Sequence, residues 1–345
     1  MIKNHHIENE PRKEHMPEKP VIRPVHRGRV SARSGGEGKV LRRLEILRSF
    51  RLLALFLITA VLTAALTAGC GGNTGASQDR ETVQVQQTDA DGNPLLNAVF
   101  FDVGKGDCIL VSMGDSHILI DAGYEETSDE MVGELRAMGV DALDAMIVTH
   151  YDKDHVGGAA EIAGEIPVGT FYLPDYVGDA DKCGDLLDMI GKEGLEAVRV
   201  SEDTSFSLQD AEVRVGAALV SYDPAEKNDN DASLIVEIIY GEDEWLIPGD
   251  IERDAIEVWL EERQETFDVL KLPHHGKKEK NTKDLIESVQ PEIAVITDSE
   301  EEDASKKVLK GLEEEGAAVY RSSVNGTIVI SGNGAEDYQV TTEKQ

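Results

Sequence analysis

Short apolar runs and amphipathic segments alternate along the chain from about residue 95 to its end. Runs such as Ala98–Val103, Cys108–Met113 and Ala145–Val148 have the length and composition of buried β-strands. Segments such as Met131–Met138 and Ile251–Leu260 repeat apolar residues every three or four positions, which predicts helices with one apolar face. The same patterns predict further strands at Ile118–Ile120, Val213–Val220, Leu234–Tyr240, Glu244–Ile247, Val269–Leu272, Ile293–Thr297 and Thr327–Ile330, and further helices at Val156–Ala163, Leu186–Ile190 and Val308–Leu312.

Strands lie at the start and in the middle of this region, and helices lie between and after them. This order predicts sheets covered by helices in a single layered α/β (α+β) domain, residues 95–345. Turns that contain Gly or Pro end the strands, and polar residues gather at these turns. Because loops at strand ends are held by a rigid scaffold, we expect the functional side chains there.

The residues before the domain divide into three parts. Residues 1–51 carry 13 Lys and Arg against 6 Asp and Glu, and their polar composition predicts a disordered basic leader. Residues 52–70 form an uncharged apolar run that ends at Ala68-Gly69-Cys70 and resembles a bacterial lipoprotein signal, which implies lipidation of Cys70. An uncleaved membrane anchor is the alternative. Residues 71–94 predict a flexible tether, so we expect the domain at the outer face of the cell membrane or secreted.

The charge of the chain narrows the classes of partner. The formal net charge is −33 although the leader is basic, so the remainder is strongly acidic. Unspecific nucleic-acid binding depends on Lys and Arg that neutralise phosphates, and this composition therefore argues against a general DNA-coating role. Besides Cys70 the chain has Cys108 and Cys183, which either pair or stay unpaired, and the apolar surroundings of Cys108 favour a buried thiol.

One segment holds four candidate metal ligands within six residues. His150, Asp152, Asp154 and His155 follow the strand that ends at Val148, and two glycines come directly after them. Imidazole and carboxylate ligands together suit Zn, Mn or Fe. Of the nine histidines, four lie in the leader and none lies between His155 and the His274-His275 pair, so the histidines of the domain are concentrated in two motifs. A solvated polar loop is the less favoured alternative.

These motifs resemble the metallo-β-lactamase superfamily. The pattern H-x-D-x-D-H followed by Gly-Gly is similar to that of the hydrolase domain of ComEC/Rec2 competence proteins. Five further segments, spread between Leu95 and about Ile330, match motifs of that group in order. They are Phe101-Asp102-Val103-Gly104-Lys105-Gly106-Asp107, Leu119-Ile120-Asp121-Ala122-Gly123, Asn230-Asp231-Ala232-Ser233-Leu234, Pro248-Gly249-Asp250 and Leu272-Pro273-His274-His275-Gly276. The resemblance implies a four-layer αββα sandwich.

The resemblance also implies a role for each matched residue. His150 and Asp152 would bind a first metal ion, Asp154, His155 and His275 a second, and Asp250 would bridge the two by giving one oxygen to each. Either Asn230, Asp229 or water would complete the first site, which lacks a third histidine. The remaining matched residues would orient ligands or contact substrate. Asp121 would support a ligand histidine, and Asp102 and Asp107 would lie in a turn that lines the site. Asn230 and Ser233 would contact a substrate phosphate, and His274 would support the site beside His275 or contact substrate.

The function implied is metal-dependent hydrolysis. Two divalent ions, Zn or Mn, would activate a water molecule and polarise an ester, and a phosphodiester such as DNA is the leading substrate class. One alternative is a surface hydrolase of phosphorylcholine-type or other esters from wall or lipid head groups. A second is a lipoprotein that binds a ligand without catalysis. No obligate protein partner is evident. Five lysines near the histidine pair are expected to offset the acidic surface locally for a polyanionic substrate: Lys271, Lys277, Lys278, Lys280 and Lys283.

Overall fold

The computed structural model describes residue 83 and residues 85–263 and 265–344. These residues belong to one unit of the fold, Ser77–Gln345. The predicted leader, the apolar run with Cys70 and most of the tether lie outside the described residues. Within the described ranges, no helix combines the length and the apolar character needed to cross a bilayer.

Eight strands form the first sheet. In chain order they are β1 (Leu96–Phe100), β2 (Cys108–Met113), β3 (Ser116–Ala122), β4 (Leu143–Ile147), β5 (Val168–Pro174), β6 (Ala197–Val200), β14 (Ile328–Gly332) and β15 (Tyr338–Thr342). Across the sheet the order is β15-β14-β1-β2-β3-β4-β5-β6. Pairing is antiparallel from β15 to β3 and parallel from β3 to β6.

Seven strands form the second sheet, which repeats this change of direction. They are β7 (Thr204–Leu208), β8 (Ala211–Gly216), β9 (Ile235–Tyr240), β10 (Asp243–Ile247), β11 (Val269–Lys271), β12 (Ile293–Ile296) and β13 (Ala318–Arg321). The order is β13-β12-β11-β10-β9-β8-β7, antiparallel from β7 to β10 and parallel from β10 to β13. Each sheet therefore has parallel strands whose carboxyl ends lie at one edge.

Helices connect and cover the strands. They are α1 (Ser128–Ala137), α2 (Lys153–Val156), α3 (Ala159–Glu165), α4 (Ala180–Glu193), α5 (Arg253–Glu262), α6 (Thr282–Val289), α7 (Lys306–Glu315) and α8 (Ser322–Asn325). Single 3₁₀ turns lie at Glu125–Thr127 and Pro273–Gly276. The first three longer helices follow strands of the first sheet, and α5 to α7 follow strands of the second.

Alternation along the buried strands separates three apolar clusters. In β1, Leu96, Ala98 and Phe100 pack against residues of the second sheet such as Trp245, whereas the intervening Val99 packs with α1 and α3 residues on the opposite face. A third cluster joins the outer face of the second sheet to α5, α6 and α7. Because successive side chains of a strand point to opposite faces, both faces of each sheet are covered. The predicted four-layer αββα arrangement is confirmed.

Most predicted elements are present, with differences that have local causes. The predicted helix Val156–Ala163 is divided at Gly157-Gly158, where a Cβ atom would lie 2.4 Å from the Lys153 carbonyl oxygen and 2.5 Å from that of Ala122, respectively. The chain makes this tight passage only because both residues are glycine. The apolar pattern did not predict β5, β6, β7, β13, β15, α6 and α8, most of which are short or half-exposed.

The last part of the predicted tether is folded against the domain. The Leu95 amide donates to the Gln87 carbonyl, and the Asn97 side chain donates to the Gln86 carbonyl. A turn centred on Asp89 brings Thr88 beside Pro94. Residues 85–94, which the sequence assigned to the tether, therefore pack with the domain. Cys108 and Cys183 are both buried and unpaired.

Candidate metal centre

The polar site lies where strands of both sheets end. Asp121 is at the end of β3, His150 follows β4, Asp250 follows β10, and His275 lies in the 3₁₀ turn after β11. All four residues are buried. Parallel neighbours end at the same edge, so four segments distant in sequence bring their polar side chains together there.

Asp121 orients two histidines. Its Oδ2 accepts from His155 Nδ1 at 2.7 Å and from the Thr149 hydroxyl at 2.7 Å. Thr149 Oγ1 in turn lies 3.1 Å from His150 Nδ1, and because its proton goes to Asp121 it accepts from that nitrogen. Both imidazoles therefore use Nδ1–H for support and direct Nε2 into the site. The Asp121 carboxylate thus contacts His155 directly and His150 through Thr149.

His275 has the same tautomer through a different support. Its Nδ1 lies 3.1 Å from Thr297 Oγ1, whose hydroxyl donates to Asp107 Oδ1 at 2.6 Å. Nε2 of His275 then faces Asp250 Oδ2 at 3.0 Å, His155 Nε2 at 3.3 Å and Asp154 Oδ2 at 3.5 Å. Asp250 Oδ2 is also 3.3 Å from His155 Nε2. We call Asp154, His155, Asp250 and His275 the inner cluster.

The two oxygens of Asp250 have different surroundings. Oδ1 is 3.1 Å from Lys271 Nζ and accepts from the His274 backbone N–H at 3.1 Å, whereas Oδ2 faces the two histidines of the inner cluster. The predicted bridge with one oxygen for each ion does not match this geometry, because only Oδ2 is directed at the ligand atoms. Asp250 is also not a helix cap, since Asp231 Oδ1 accepts from the Glu252 and Ala255 amides at the start of α5.

His150 and Asp152 form what we call the outer pair. His150 Nε2 is buried and has no hydrogen-bond partner, and it is 3.9 Å from Asp152 Oδ2. Burial, with a further contribution from His155, lowers the pKa of His150 to about 4, so the imidazole is neutral near pH 7. Asp152 is at the mouth of the site, with its side chain 32% exposed.

Lys271 is a part of the site that sequence analysis misassigned. It is completely buried, its Nζ forms a close ion pair with Asp107 Oδ2, and it contacts Asp250. It therefore cannot offset the acidic surface for a polyanion as predicted. A single lysine inside the apolar strand β11 was the available signal, because a charged residue flanked by Leu270 and Leu272 is buried only when it is paired. Thr149 and Thr297 were also missed.

A second group of polar residues adjoins the inner cluster. Asn230 Nδ2 donates to Glu252 Oε1 at 2.8 Å, and the same oxygen is 2.8 Å from His274 Nδ1. The latter contact is short but poorly directed for a hydrogen bond. Ser233 Oγ accepts from the Asp250 amide at 3.2 Å. Ser233 and His274 thus hold the backbone and carboxylate around Asp250, and neither directs a ligand atom into the inner cluster.

Asp102 is not brought to the site. Its carboxylate contacts Lys344 Nζ at 3.1 Å, and its amide donates to Thr327. Only the far end of the predicted turn reaches the site, where a Cβ on Gly106 would lie 2.8 Å from the Asp154 carbonyl oxygen. In the same turn Lys105 Nζ is 3.2 Å from Asp154 Oδ2. The turn lines the site through Lys105 and Asp107 because the chain reverses at Gly104.

The backbone is strained at three of these positions. Asp121, His274 and His275 have φ values of 57°, 49° and 51°, in the left-handed region that residues other than glycine seldom adopt. Such strain persists only where surrounding contacts hold it. Here it turns the Asp121 carboxylate toward two histidines and the His275 ring toward Asp250.

Comparison with known protein families identifies the superfamily of the chain. Residues 101–297 match the metallo-beta-lactamase superfamily. The chain belongs to this superfamily. The matched region contains the inner cluster, the outer pair and Asp121, and it covers more than half of the chain.

Two competence proteins are among the similar sequences. The chain is 29% identical to ComE operon protein 3 of Bacillus subtilis over 253 residues, which are 66% of this chain and 32% of that protein. It is 26% identical to competence protein ComA of Neisseria gonorrhoeae over 202 residues, 57% of this chain and 26% of that protein. The chain thus spans about a third or less of these relatives. The resemblance stated from the motifs is confirmed.

Among solved structures, the metallo-beta-lactamase fold protein YhfI from Bacillus subtilis is similar. It has a TM-score of 0.48 at 13% identity, and the alignment covers 69% of this chain and 100% of YhfI.

Superfamily members usually bind divalent metals, and the side chains of this chain fit such ions. Burial opposes charge on His155 and His275, yet Asp250 and neighbouring carboxylates raise the pKa of both imidazoles, that of His155 well above its usual value. Despite burial, His275, Lys271 and His155 hold the pKa of Asp250 well below its usual range. Such a potential favours a cation among the inner-cluster atoms, and the unpartnered His150 Nε2 offers a further nitrogen ligand.

Proposed function

We propose that this superfamily member is a two-metal phosphodiesterase. The observation that supports it most directly is the inner cluster, in which two imidazole nitrogens and two carboxylate oxygens converge with separations of 3.0 to 3.5 Å. Asp154, His155 and His275 would hold one ion, and the outer pair would hold the other. Asp250 Oδ2 would contribute to both. Carboxylate-rich ligands make Mn a candidate beside Zn.

When bound, two divalent ions supply Lewis acidity for a phosphoryl oxygen and acidify a water molecule. The protein's own contribution is orientation and charge. Asp121 and the two threonines fix the histidine tautomers, and Lys271 together with the His274 amide restrains one oxygen of Asp250 so that the other faces the ligands. Lys105, which is 3.2 Å from Asp154, places a cation at the rim where an anionic substrate oxygen would approach.

We propose two candidate substrate classes. The sequence likeness to competence proteins supports DNA as the phosphodiester. A cavity of about 400 Å³ beside Asp152 supports a phosphoester with a cationic head group instead. Its lining includes Asp179, Glu226 and Glu252 together with Tyr222, which stacks on Tyr176 at a ring separation of 4.3 Å. Carboxylates and aromatic faces attract an ammonium group and repel a polyanion, although Lys227 and Arg253 also line the cavity.

Turnover assays on the metal-loaded protein test the proposal. We expect hydrolysis of bis-p-nitrophenyl phosphate that EDTA abolishes and Mn²⁺ or Zn²⁺ restores. Relative rates on single-stranded DNA and p-nitrophenyl phosphorylcholine then separate the two substrate classes. A folded protein that holds two ions yet cleaves none of the three substrates would overturn the proposal and favour a ligand-binding role.

We also propose that the domain is anchored outside the cell through a lipid on Cys70. The support is the apolar run that ends at Ala68-Gly69-Cys70. Labelled palmitate should enter the wild-type protein, and Cys70→Ser should abolish labelling and release the domain from membranes. Cys183→Ser is the matched control. Unchanged labelling and membrane retention in Cys70→Ser would instead indicate an uncleaved anchor.

A further inference from the structure

Besides Asp107 Oδ2, which forms an ion pair with Lys271, two electron-pair donors in the site are buried without a hydrogen-bond partner. They are Nε2 of His150 and Oδ1 of Asn230. Buried polar atoms are nearly always satisfied by protein, water or an ion, so an unpartnered pair at one site points to a missing ligand. Both atoms are acceptors, so a cation satisfies both, as does a water molecule that donates to each; the carboxylates nearby favour the cation.

The amide of Asn230 has a defined orientation. Nδ2 donates to Glu252 Oε1 at 2.8 Å, and because a carboxylate only accepts, the opposite end of the amide is the carbonyl oxygen Oδ1. Glu252 Oε1 is also 2.8 Å from His274 Nδ1, and His274 Nε2 is 3.1 Å from Lys277 Nζ. A lysine ammonium only donates, so Nε2 is the unprotonated nitrogen and Nδ1–H faces Glu252. Glu252 therefore holds the Nδ2 end of the amide, and His274 contacts the same Glu252 oxygen.

The segment that carries Asn230 packs on the residues next to His150 and Asp250. The Leu234 amide donates to the Thr149 carbonyl at 2.8 Å, and Ser233 accepts from the Asp250 amide. The approach is close, since a Cβ on Gly249 would lie 2.8 Å from Ser233 Cβ and 3.0 Å from Thr149 Cβ. Asn230 and Asp152 line the same cavity. Asp152 of the outer pair and Asn230 therefore border one space, and the packing of the Asn230 segment on Thr149 holds it against the residue next to His150.

We propose that Asn230 Oδ1 is a ligand of the first metal ion, together with His150, Asp152 and Asp250, and that Glu252 and His274 are positioning residues for it. This inference rests on the proposed two-metal function. A neutral amide oxygen adds a hard ligand without adding charge to a site that is already rich in carboxylates, which suits Mn²⁺. Asp229, the other candidate from the sequence, directs Oδ1 toward the Tyr176 hydroxyl at 3.5 Å.

Metal stoichiometry of the purified full chain tests this assignment. Mn²⁺ is titrated by calorimetry, and electron paramagnetic resonance distinguishes a spin-coupled ion pair from a single ion. We expect two ions in the wild type, whereas Asn230→Ala should bind one of them at least about tenfold more weakly and lose the coupled signal. Asn230→Asp should retain both ions, because it keeps an oxygen at the same position.

Two positioning variants and a control complete the experiment. Glu252→Ala and His274→Ala should weaken the same ion by a smaller factor. Asn93→Ala should bind like wild type, since the Asn93 side chain donates to Asp89 in the turn before β1 and does not line the cavity. If Asn230→Ala fails to fold, Asn230→Leu, which has nearly the same shape and no ligand atom, takes its place.

The outcomes separate this inference from the proposed function. Two ions bound by Asn230→Ala with wild-type affinity would overturn the inference, even if hydrolysis is observed. Loss of one ion in that variant would support it, even if no phosphodiester is cleaved. A third ion in the wild type that disappears only in Glu252→Ala and His274→Ala would also overturn it, because Glu252, His274 and Glu279 would then be ligands themselves.

Discussion

The inner cluster and the outer pair consist of the same two kinds of side chain, histidine and aspartate, but they differ in how the protein supports them. In the inner cluster each imidazole is anchored by Asp121 or Thr297, and Asp250 is restrained by Lys271. In the outer pair His150 is anchored by Thr149, and Asp152 lines an open cavity with its side chain 32% exposed. The inner cluster is thus preorganised before an ion binds, whereas the geometry of the outer pair depends more on the bound ion.

The difference follows from where the ligands originate. The inner cluster joins α2 of one sheet to strand ends of the other, so its atoms are fixed by the packing of the two sheets. The outer pair lies on a single loop before α2, and its remaining neighbours come from the loop between β8 and β9. We therefore expect the ion at the inner cluster to bind more tightly than the ion at the outer pair.

Removal of Asp250 should have the largest effect, because we propose that its Oδ2 binds both ions. We expect Asp250→Ala to bind neither ion tightly and to have no detectable activity, measured by metal analysis and bis-p-nitrophenyl phosphate turnover. Asp188→Ala, which removes an exposed carboxylate paired only with Lys192, is the control. Full metal occupancy and near-normal turnover in Asp250→Ala would exclude Asp250 from the site.

Removal of a ligand from one half should separate the two ions. His275→Ala should lose the tighter ion, whereas Asp152→Ala should lose the weaker one and retain the other. Calorimetric titration with Mn²⁺ or Zn²⁺ measures both affinities in each variant. Identical loss in the two variants would mean that the ions bind as a unit and that the comparison between the halves is wrong.

Weakening the shared support should have an intermediate effect. Asp121→Asn keeps the shape of the side chain but removes the charged acceptor for His155 Nδ1 and for the Thr149 hydroxyl. Outer-shell partners of metal ligands typically contribute about 10- to 100-fold to metal affinity or activity. We expect a loss in this range at both ions, since Thr149 also supports His150. An effect confined to one ion would show that the relay through Thr149 contributes nothing.

A change of pH should have a smaller effect, with a defined sign. Because the pKa values of His155 and His275 are raised in the ion-free protein, protons compete with an ion for these two rings up to a higher pH than for an ordinary imidazole. Protonation of these two rings stabilises the ion-free folded state. This contribution is complete below the pKa of the unfolded chain and is lost as pH rises through the pKa of the folded protein. Metal affinity should therefore fall with decreasing pH, by up to about tenfold per pH unit for each displaced proton.

Calorimetry in buffers of different ionisation enthalpy measures this proton release directly. His150, with a pKa of about 4, should release no proton near neutrality. The inner-cluster ion should consequently show the pH dependence, and the outer ion should show little. The reverse pattern would contradict the assignment of ions to the two halves.

The sequence alone was sufficient for the fold class, the strand ends that carry chemistry and the histidine and aspartate ligand candidates. These are local properties, because a buried strand followed by a polar turn has a readable apolar pattern, and metal-ligand residue types are recognisable within a few positions. Strand Cys108–Met113 has the predicted bounds, and the helix Arg253–Glu262 begins two residues from its predicted start.

Only the tertiary structure decided which partner each side chain has. Asp102 and Asp107 flank the same turn, yet one contacts Lys344 at the end of the chain and the other contacts the buried Lys271. Neither lysine is near in sequence, so no local pattern distinguishes the two aspartates. The same holds for the two oxygens of Asp250, whose separate roles depend on Lys271 and the His274 amide. Local sequence limits which groups are available, but the packing of two sheets determines which of them meet.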